Sequence, residues 1–377
     1  MYARMKSYSY FLFVILFIAS CQKKELIKEI NINNWKFREQ GKEWLSASVP
    51  GSVHLDLYFN DLIDDPFYRA NENKLQWIEE KSWEYKAEFD LEPNFLENKN
   101  IQLIFSGIDT YADVYLNDSL IKTCDNFFVS HKIKLGSILK LSNELRFVFY
   151  PTVEKAKEIQ KNNIFDLPGE ERVYVRKPQF HFGWDWGPRF IGCGITEKVK
   201  LIAFNTPQIS DFYVSTLSVS DTKAEMRLEL EISDLESEIY TIEFLGVKYP
   251  VQKENKSIEF TVENPNLWWP RGYGDQNLYP LEICILDGKG TIVDQVHEKY
   301  AIRQIDLIQE DDEFGKGFKF QVNGIDIYAK GANYIPLDFF HTRVDSIQYR
   351  NALNDIVEAN MNMLRVWGGG MYEDDYF

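Results

Sequence analysis

Cysteine and histidine are scarce in this chain of 377 residues. Of four cysteines, one (Cys21) closes an N-terminal leader. The other three, Cys124, Cys193 and Cys284, offer neither a disulfide framework nor a paired zinc spacing, and are expected to be buried, inert thiols. Five histidines (His54, His131, His181, His297 and His341) lie far apart in sequence, so no metal site and no cofactor is expected. Positive charge is also short. Lys and Arg number 42 against 58 Asp and Glu, a net charge of −16. That balance argues against nucleic acid or an anionic lipid surface as partner and suits a neutral ligand. No apolar run reaches the roughly 20 residues of a membrane-spanning helix, and no repeat or low-complexity stretch occurs.

The single apolar run is short, Tyr8 to Ile18, and follows Arg4 and Lys6. It reads as a targeting leader over residues 1–20, outside the fold. Its end, Ile18-Ala19-Ser20-Cys21, resembles a bacterial lipoprotein box, although Ile18 stands where Leu is commonest. Cleavage before Cys21 would leave that cysteine to be lipidated; an ordinary signal peptide is the alternative. The expectation is an exported bacterial protein, periplasmic or on the outer membrane or cell surface, touching a membrane only through the lipid anchor. Residues 21–32 then read as a charged tether.

What the chain does have is alternation. Trp83, Tyr85, Ala87 and Phe89 interleave with Glu84, Lys86 and Glu88, the period of a strand with one buried face. Ile101 to Phe105, Ala112 to Leu116 and Leu145 to Tyr150 add strands, and only Val153 to Gln160 reads as helical. Residues 33–204 are thus expected to form a jelly-roll β-sandwich. Alternation resumes in Ala224 to Ile232, Tyr240 to Phe244, Ser257 to Val262 and Leu278 to Leu286, and predicts an immunoglobulin-like β-sandwich over 205–303. Trp268-Trp269-Pro270 within it is either a sugar platform or, more in keeping with a sandwich, edge packing. From residue 304 the class changes. Asn323-Gly324 signals a hairpin, Tyr349, Leu353, Ile356 and Val357 recur at helical spacing with Asp345 or Ser346 as caps, and Asn362 to Val366 is a short apolar strand. Strand, helix, strand implies a parallel sheet.

One run stands apart: His181-Phe182-Gly183-Trp184-Asp185-Trp186-Gly187-Pro188-Arg189-Phe190. Aromatic faces stack on the C–H faces of a pyranose, and a carboxylate between them accepts hydrogen bonds from neighbouring hydroxyls. Gly183, Gly187 and Pro188 mark a loop. The alternative is a packed aromatic cluster with Asp185 capping a turn.

From Arg176-Lys177-Pro178-Gln179 through Phe190, the sequence resembles the signature of the β-mannosidases of glycoside hydrolase family 2. Val49-Pro50-Gly51-Ser52-Val53-His54, Gly107-Ile108-Asp109-Thr110 with Ala112, Val114 and Leu116-Asn117, Asn266-Leu267-Trp268-Trp269-Pro270, and Asn362-Met363-Leu364-Arg365-Val366-Trp367-Gly368-Gly369-Gly370 resemble further segments of that family. The resemblance covers nearly everything after the leader. It implies a mainly β, multidomain chain: a jelly-roll sugar-binding domain, an immunoglobulin-like sandwich, and over 304–377 the truncated start of a (β/α)8 barrel. Such a barrel needs about 250 residues, whereas 78 run from Tyr300 to Phe377. The chain is accordingly expected to be the front portion of a longer protein and inactive alone.

The resemblance further implies a retaining enzyme that removes terminal β-D-mannose from β-mannoside oligosaccharides. Its two glutamates would lie on later barrel strands, the first in an Asn-Glu pair. Asn71-Glu72 and Asn143-Glu144 fall in the first sandwich, so no acid, base or nucleophile is assigned here. The candidates are sugar-binding. Trp184, Asp185 and Trp186 would hold hydroxyls of the terminal mannose. Arg365, in an Asn-x-x-Arg pattern with Asn362, would orient the nucleophile; a structural ion pair is its alternative. Trp367 would line the subsite, and Asn333 is either a further contact or a turn residue. Glu373-Asp374 is expected at the surface or at a helix start. Two other outcomes stay open: a carbohydrate-binding lipoprotein without catalysis, and a related exo-β-glucosaminidase or endo-β-mannosidase.

Overall fold

The structure is a computed structural model; it describes residues 27–377 except 221, 236–238, 252–256 and 374–375. The leader and Cys21 lie outside the described residues.

Two antiparallel sheets face each other in the first unit. One runs Leu45–Ser46, Lys36–Glu39, Trp83–Asp90, Ser142–Phe149, Ala112–Leu116, Ser119–Cys124 in spatial order. The other runs Lys28–Asn31, Lys200–Phe204, Asn100–Phe105, His131–Lys134. Period-two side chains fill the space between them, with Phe37, Tyr85, Phe105, Leu103 and Phe147 at 1% exposure or less. Glu84 is buried against this pattern because it is paired with both Arg38 and Arg146.

The tether reading fails for its second half. Lys28–Asn31 is an edge strand, pairing antiparallel with Lys200–Phe204. The apolar residues that matter are sparse: Ile30 packs against the core and Ile32 is buried. Glu29 and Asn31 face solvent, with Glu29 bound to Lys200 at 2.8 Å. A charged stretch is compatible with an edge strand, where one face stays wet.

A seven-stranded sandwich follows. Its sheets are Gln208–Val219, Lys223–Ser233, Ser257–Glu263 and Val247–Pro250, Thr241–Phe244, Tyr279–Leu286, Ile292–Tyr300. Met226, Leu228, Phe244 and Ile283 centre its core. Trp268 sits at its margin, with the Arg303 guanidinium 4.3 Å from the ring centroid and its backbone N–H donating to Ile302 O at 2.9 Å. Trp268 thus packs at the sandwich edge.

Beyond it, Ile305–Ile308, Lys319–Val322 and Ile325–Ile327 form a small antiparallel sheet. Its hairpin turns at Asn323 and Gly324, both at positive φ (49° and 79°), as a two-residue mirror-image turn requires. Gly331–Tyr334 then pairs parallel with Met363–Val366 across the helix Ser346–Glu358. Asp345 caps that helix in a full capping box: its carboxylate accepts from Ile347 and Gln348 N–H, and Gln348 accepts from Asp345 N–H. This is a right-sized strand–helix–strand unit with a parallel pair, as the spacing predicted.

Candidate functional site

The Trp-Asp-Trp run is more ordered than a loop. Phe182–Trp184 and Gly187–Arg189 pair as a short hairpin, with Asp185 and Trp186 at its tip. The glycines permit this: Gly183 lies at φ 85°, and a Cβ there would come within 3.1 Å of Arg189 Cβ. The return strand is clamped. Arg189 N–H donates to Glu72 Oε1 at 2.6 Å, Gln76 donates to Arg189 O at 3.0 Å, and the guanidinium reaches Glu79 at 2.8 Å. Burial holds the Glu79 carboxyl above its ordinary range, and the Arg189 contact works against that rise.

The hairpin meets the segment that follows Met363–Val366. Phe180 N–H donates to Gly369 O at 3.0 Å, and Trp367 N–H donates to Tyr334 O at 2.9 Å. Trp367 lies 5.1 Å from Trp184 and 5.8 Å from Trp186 between ring centroids, edge-on to both. Phe180 stacks behind Trp186 at 5.8 Å, and the Arg172 guanidinium covers Trp184 at 4.8 Å. Trp184 and Trp186 nevertheless remain 39% exposed, and Asp185 is exposed beside them. Gly369 makes the Trp367 position possible, since a Cβ there would fall 2.2 Å from the indole.

On the parallel strands, Asn333 and Arg365 are register partners, and Arg365 Nη1 donates to Asn333 Oδ1 at 2.9 Å. Both are exposed at the sheet. Asn362 instead holds backbone: it accepts from Lys330 N–H at 2.8 Å and donates to Tyr328 O at 3.1 Å. Glu373 departs from expectation. It is half-buried and outside any helix, and it accepts from the hydroxyls of Tyr334 (3.0 Å) and Tyr349 (2.6 Å). Two tyrosines within reach draw the carboxylate inward. Asp374 lies outside the described residues.

Beneath the hairpin is a polar core that sequence reading missed. Lys177 is fully buried; its ammonium binds the Asp109 carboxylate and Gly192 O. Thr110 donates to Asp109 at 2.6 Å. His181 Nδ1 lies 3.8 Å from that carboxylate, with no hydrogen-bond partner among the described residues. His54 and His341 complete the cluster. Burial, with the Lys177 charge as the second cause, lowers His54 to about 3 and pushes His181 well below its usual value. Burial likewise lowers His341 to about 4. Phe339 and Phe340, carried by the loop after Gly331–Tyr334, close over this core against Phe180 and Phe190 (5.1 and 5.8 Å). Lys177 and Asp109 both stand in recognisable motifs, but nothing in the sequence signals that the two meet. The three described cysteines are buried and free, and among the described residues no cluster of His, Cys, Asp and Glu could hold a metal.

Two indoles and a carboxylate from the first sandwich thus stand exposed beside Trp367, and Arg365 and Asn333 lie exposed on the parallel strands that precede it. Such a surface can stack on a sugar ring and bind its hydroxyls.

The chain resembles known glycoside hydrolases. The model for a "Glycosyl hydrolase 2 galactose-binding domain-like" domain matches residues 35–197, and one for "Glycosyl hydrolases family 2" matches residues 205–303. Beta-mannosidase B of Emericella nidulans is 34% identical over 368 residues, covering 91% of this chain and 43% of that protein. Beta-mannosidase B of Aspergillus clavatus is also 34% identical, with the same shares. The crystal structure of a beta-D-mannosidase from Dictyoglomus thermophilum superposes with a TM-score of 0.85 at 38% identity, covering 93% of this chain and 45% of that one. An exo-chitosanase from Amycolatopsis orientalis shares the fold at 20% identity and a TM-score of 0.70, covering 93% of this chain and 41% of that one. The chain spans less than half the length of each of these four relatives.

Proposed function

The chain belongs to glycoside hydrolase family 2, and on that premise we propose that the whole protein is a β-mannosidase. It would remove terminal non-reducing β-D-mannose with retention of configuration. The observation that carries this is the Trp184-Asp185-Trp186 tip standing against Trp367, with Arg365 on the strand that leads into it. Asp185 accepts hydrogen bonds from sugar hydroxyls, the indoles stack on the ring, and Arg365 orients an attacking carboxylate. The two carboxyl groups of a retaining enzyme stand about 5–5.5 Å apart; we assign neither to this chain. It contributes part of the wall of the subsite. The names carried by the relatives at 34–38% identity support mannose over other sugars.

The complete protein, given 4-nitrophenyl β-D-mannopyranoside and the matching β-D-glucosaminide, is expected to hydrolyse the mannoside and release β-mannose first. Hydrolysis of the glucosaminide alone, or of neither, would refute the reading.

We extend the proposal to location. Arg4, Lys6, the apolar run to Ile18 and the Ala19-Ser20-Cys21 ending support export and lipidation at Cys21, with the sugar site held outside the cytoplasm. Detergent-phase partition that is lost in Cys21→Ser is the expected result; no change in that variant would contradict it.

A further inference from the structure

A second cleft opens at the far end of the first sandwich. It lies where the connection after Lys28–Asn31, the end of Trp83–Asp90, the turn after Ala112–Leu116 and the start of Ser142–Phe149 come together. The Trp hairpin packs near the opposite end of those strands, beside Tyr111 and the segment that follows Phe149. Eight residues of Ser142–Phe149, at about 3.3 Å each, separate the two places by roughly 25 Å. The cleft encloses about 780 Å³, within the roughly 300–1,000 Å³ of small-ligand sites.

Its lining is rich in amides and carboxylates. Asn31, Asn34, Asp90, Asp118, Ser142 and Asn143 contribute, with Phe89 as the aromatic wall. One side is fixed in place. Asn117 donates to Asn143 Oδ1 and Ile138 O, both at 2.9 Å, and accepts from Glu144 N–H at 3.1 Å. Asn143, 5% exposed, donates to Lys140 O at 2.7 Å and accepts from its N–H at 2.9 Å. Asn34 and Asp118, by contrast, are exposed, and their side chains make no hydrogen bond among the described residues. Those bonds take up most of what Asn117 and Asn143 offer, so the free donor and acceptors for vicinal hydroxyls are those of Asn34 and Asp118, on a rim the fixed amides shape. Charge narrows the choice. Glu88, Asp90, Asp118 and Glu144 face one lining cation, Lys140, and Lys86 is already paired with Glu88 and Glu144. An anionic ligand would be repelled.

We propose that this cleft is a second, non-catalytic binding site for a neutral oligosaccharide. It goes beyond the reading above, because it binds without turnover and does not depend on the hairpin. It would hold the polysaccharide while a chain end reaches the hairpin.

The probe is β-1,4-mannohexaose, titrated calorimetrically into the complete protein carrying Asp185→Ala, which disables the first site. Asn34→Gly and Asp118→Gly are the variants. Both positions have positive φ (60° and 65°), so glycine removes the side chain without backbone strain. Asp185→Ala is expected to keep binding the hexaose, and adding the glycine pair is expected to weaken that binding at least tenfold with an unchanged melting temperature. The glycine pair alone should leave hydrolysis of the nitrophenyl mannoside unaltered. Binding that is unaffected by the pair, or absent from Asp185→Ala at millimolar hexaose, overturns the proposal. Persistent cleft binding in a protein that hydrolyses no mannoside would refute the catalytic reading and leave this one standing.

Discussion

Replacing Lys177 by methionine should unfold the first sandwich far more readily than any surface change. The lysine is fully buried, and its ammonium is the cationic partner of the Asp109 carboxylate. Methionine matches the lysine's length and fills its apolar path. The loss is therefore electrostatic. Asp109 would keep one hydrogen bond, from Thr110 at 2.6 Å, inside a core where it is 5% exposed. Breaking a buried pair from one side costs about 3–5 kcal/mol, because a charge is left uncompensated. Removing both charges in Lys177→Met/Asp109→Leu removes that penalty, so the double variant should recover most of the loss. For a unit of this size, 3–5 kcal/mol is roughly 10 °C in melting temperature. Thermal unfolding followed by circular dichroism would show a large drop for the single variant and a small one for the double. A single variant within about 1 kcal/mol of the parent, or a double variant worse than the single, would refute the reasoning.

Two other outcomes follow from the same region. His54 sits between Phe190 and Phe340 with its pKa lowered to about 3 by burial and by Lys177, against 6.5 for the free side chain. The unfolded chain binds the extra proton between those values, so stability falls as pH drops, by about 2 kcal/mol between pH 6.5 and 4.5. Asp56, raised to about 7 by burial, acts oppositely over pH 4 to 7, so His54→Phe is compared with the parent at each pH. The variant should lose less stability on acidification; identical profiles would contradict this. Gly369→Ala would place a methyl 2.2 Å from the Trp367 ring. It should displace that indole, change tryptophan fluorescence and lower kcat/KM for a mannoside at least tenfold. Unchanged emission and kinetics would show that the ring position does not matter.

The sequence made strands and turns legible wherever a local rule decides them. Trp83, Tyr85 and Ala87 announce a buried face because side chains alternate in a strand, and Asn323-Gly324 fixes a hairpin by backbone sterics alone. The aromatic run at 184–186 was visible as a pattern, and so was Trp367. That these rings meet edge-on at 5–6 Å was not, because their contact joins elements nearly 200 residues apart. All but one of the misreadings share that cause. Lys28–Asn31 looks like a tether in isolation and becomes a strand only when Lys200–Phe204 lies beside it. The hairpin around Asp185 was hidden by glycines and a proline that ordinarily signal a loop. Glu373 turns inward only because Tyr334 and Tyr349 converge on it. The Lys177–Asp109 pair is the extreme case: two charged residues that composition alone assigns to the surface.

The central claim is that the hairpin tip binds the sugar that the whole protein cleaves. The direct test is kcat/KM of the complete protein for 4-nitrophenyl β-D-mannopyranoside, before and after Asp185→Ala. Asp185 is exposed, so its loss should not disturb folding. Each charge-assisted hydrogen bond is worth about 1.5–3 kcal/mol, so two bonds to hydroxyls predict a fall of at least 100-fold with an unchanged melting temperature. A variant within threefold of the parent would show that the tip only packs against Trp367 and that the mannose is held elsewhere.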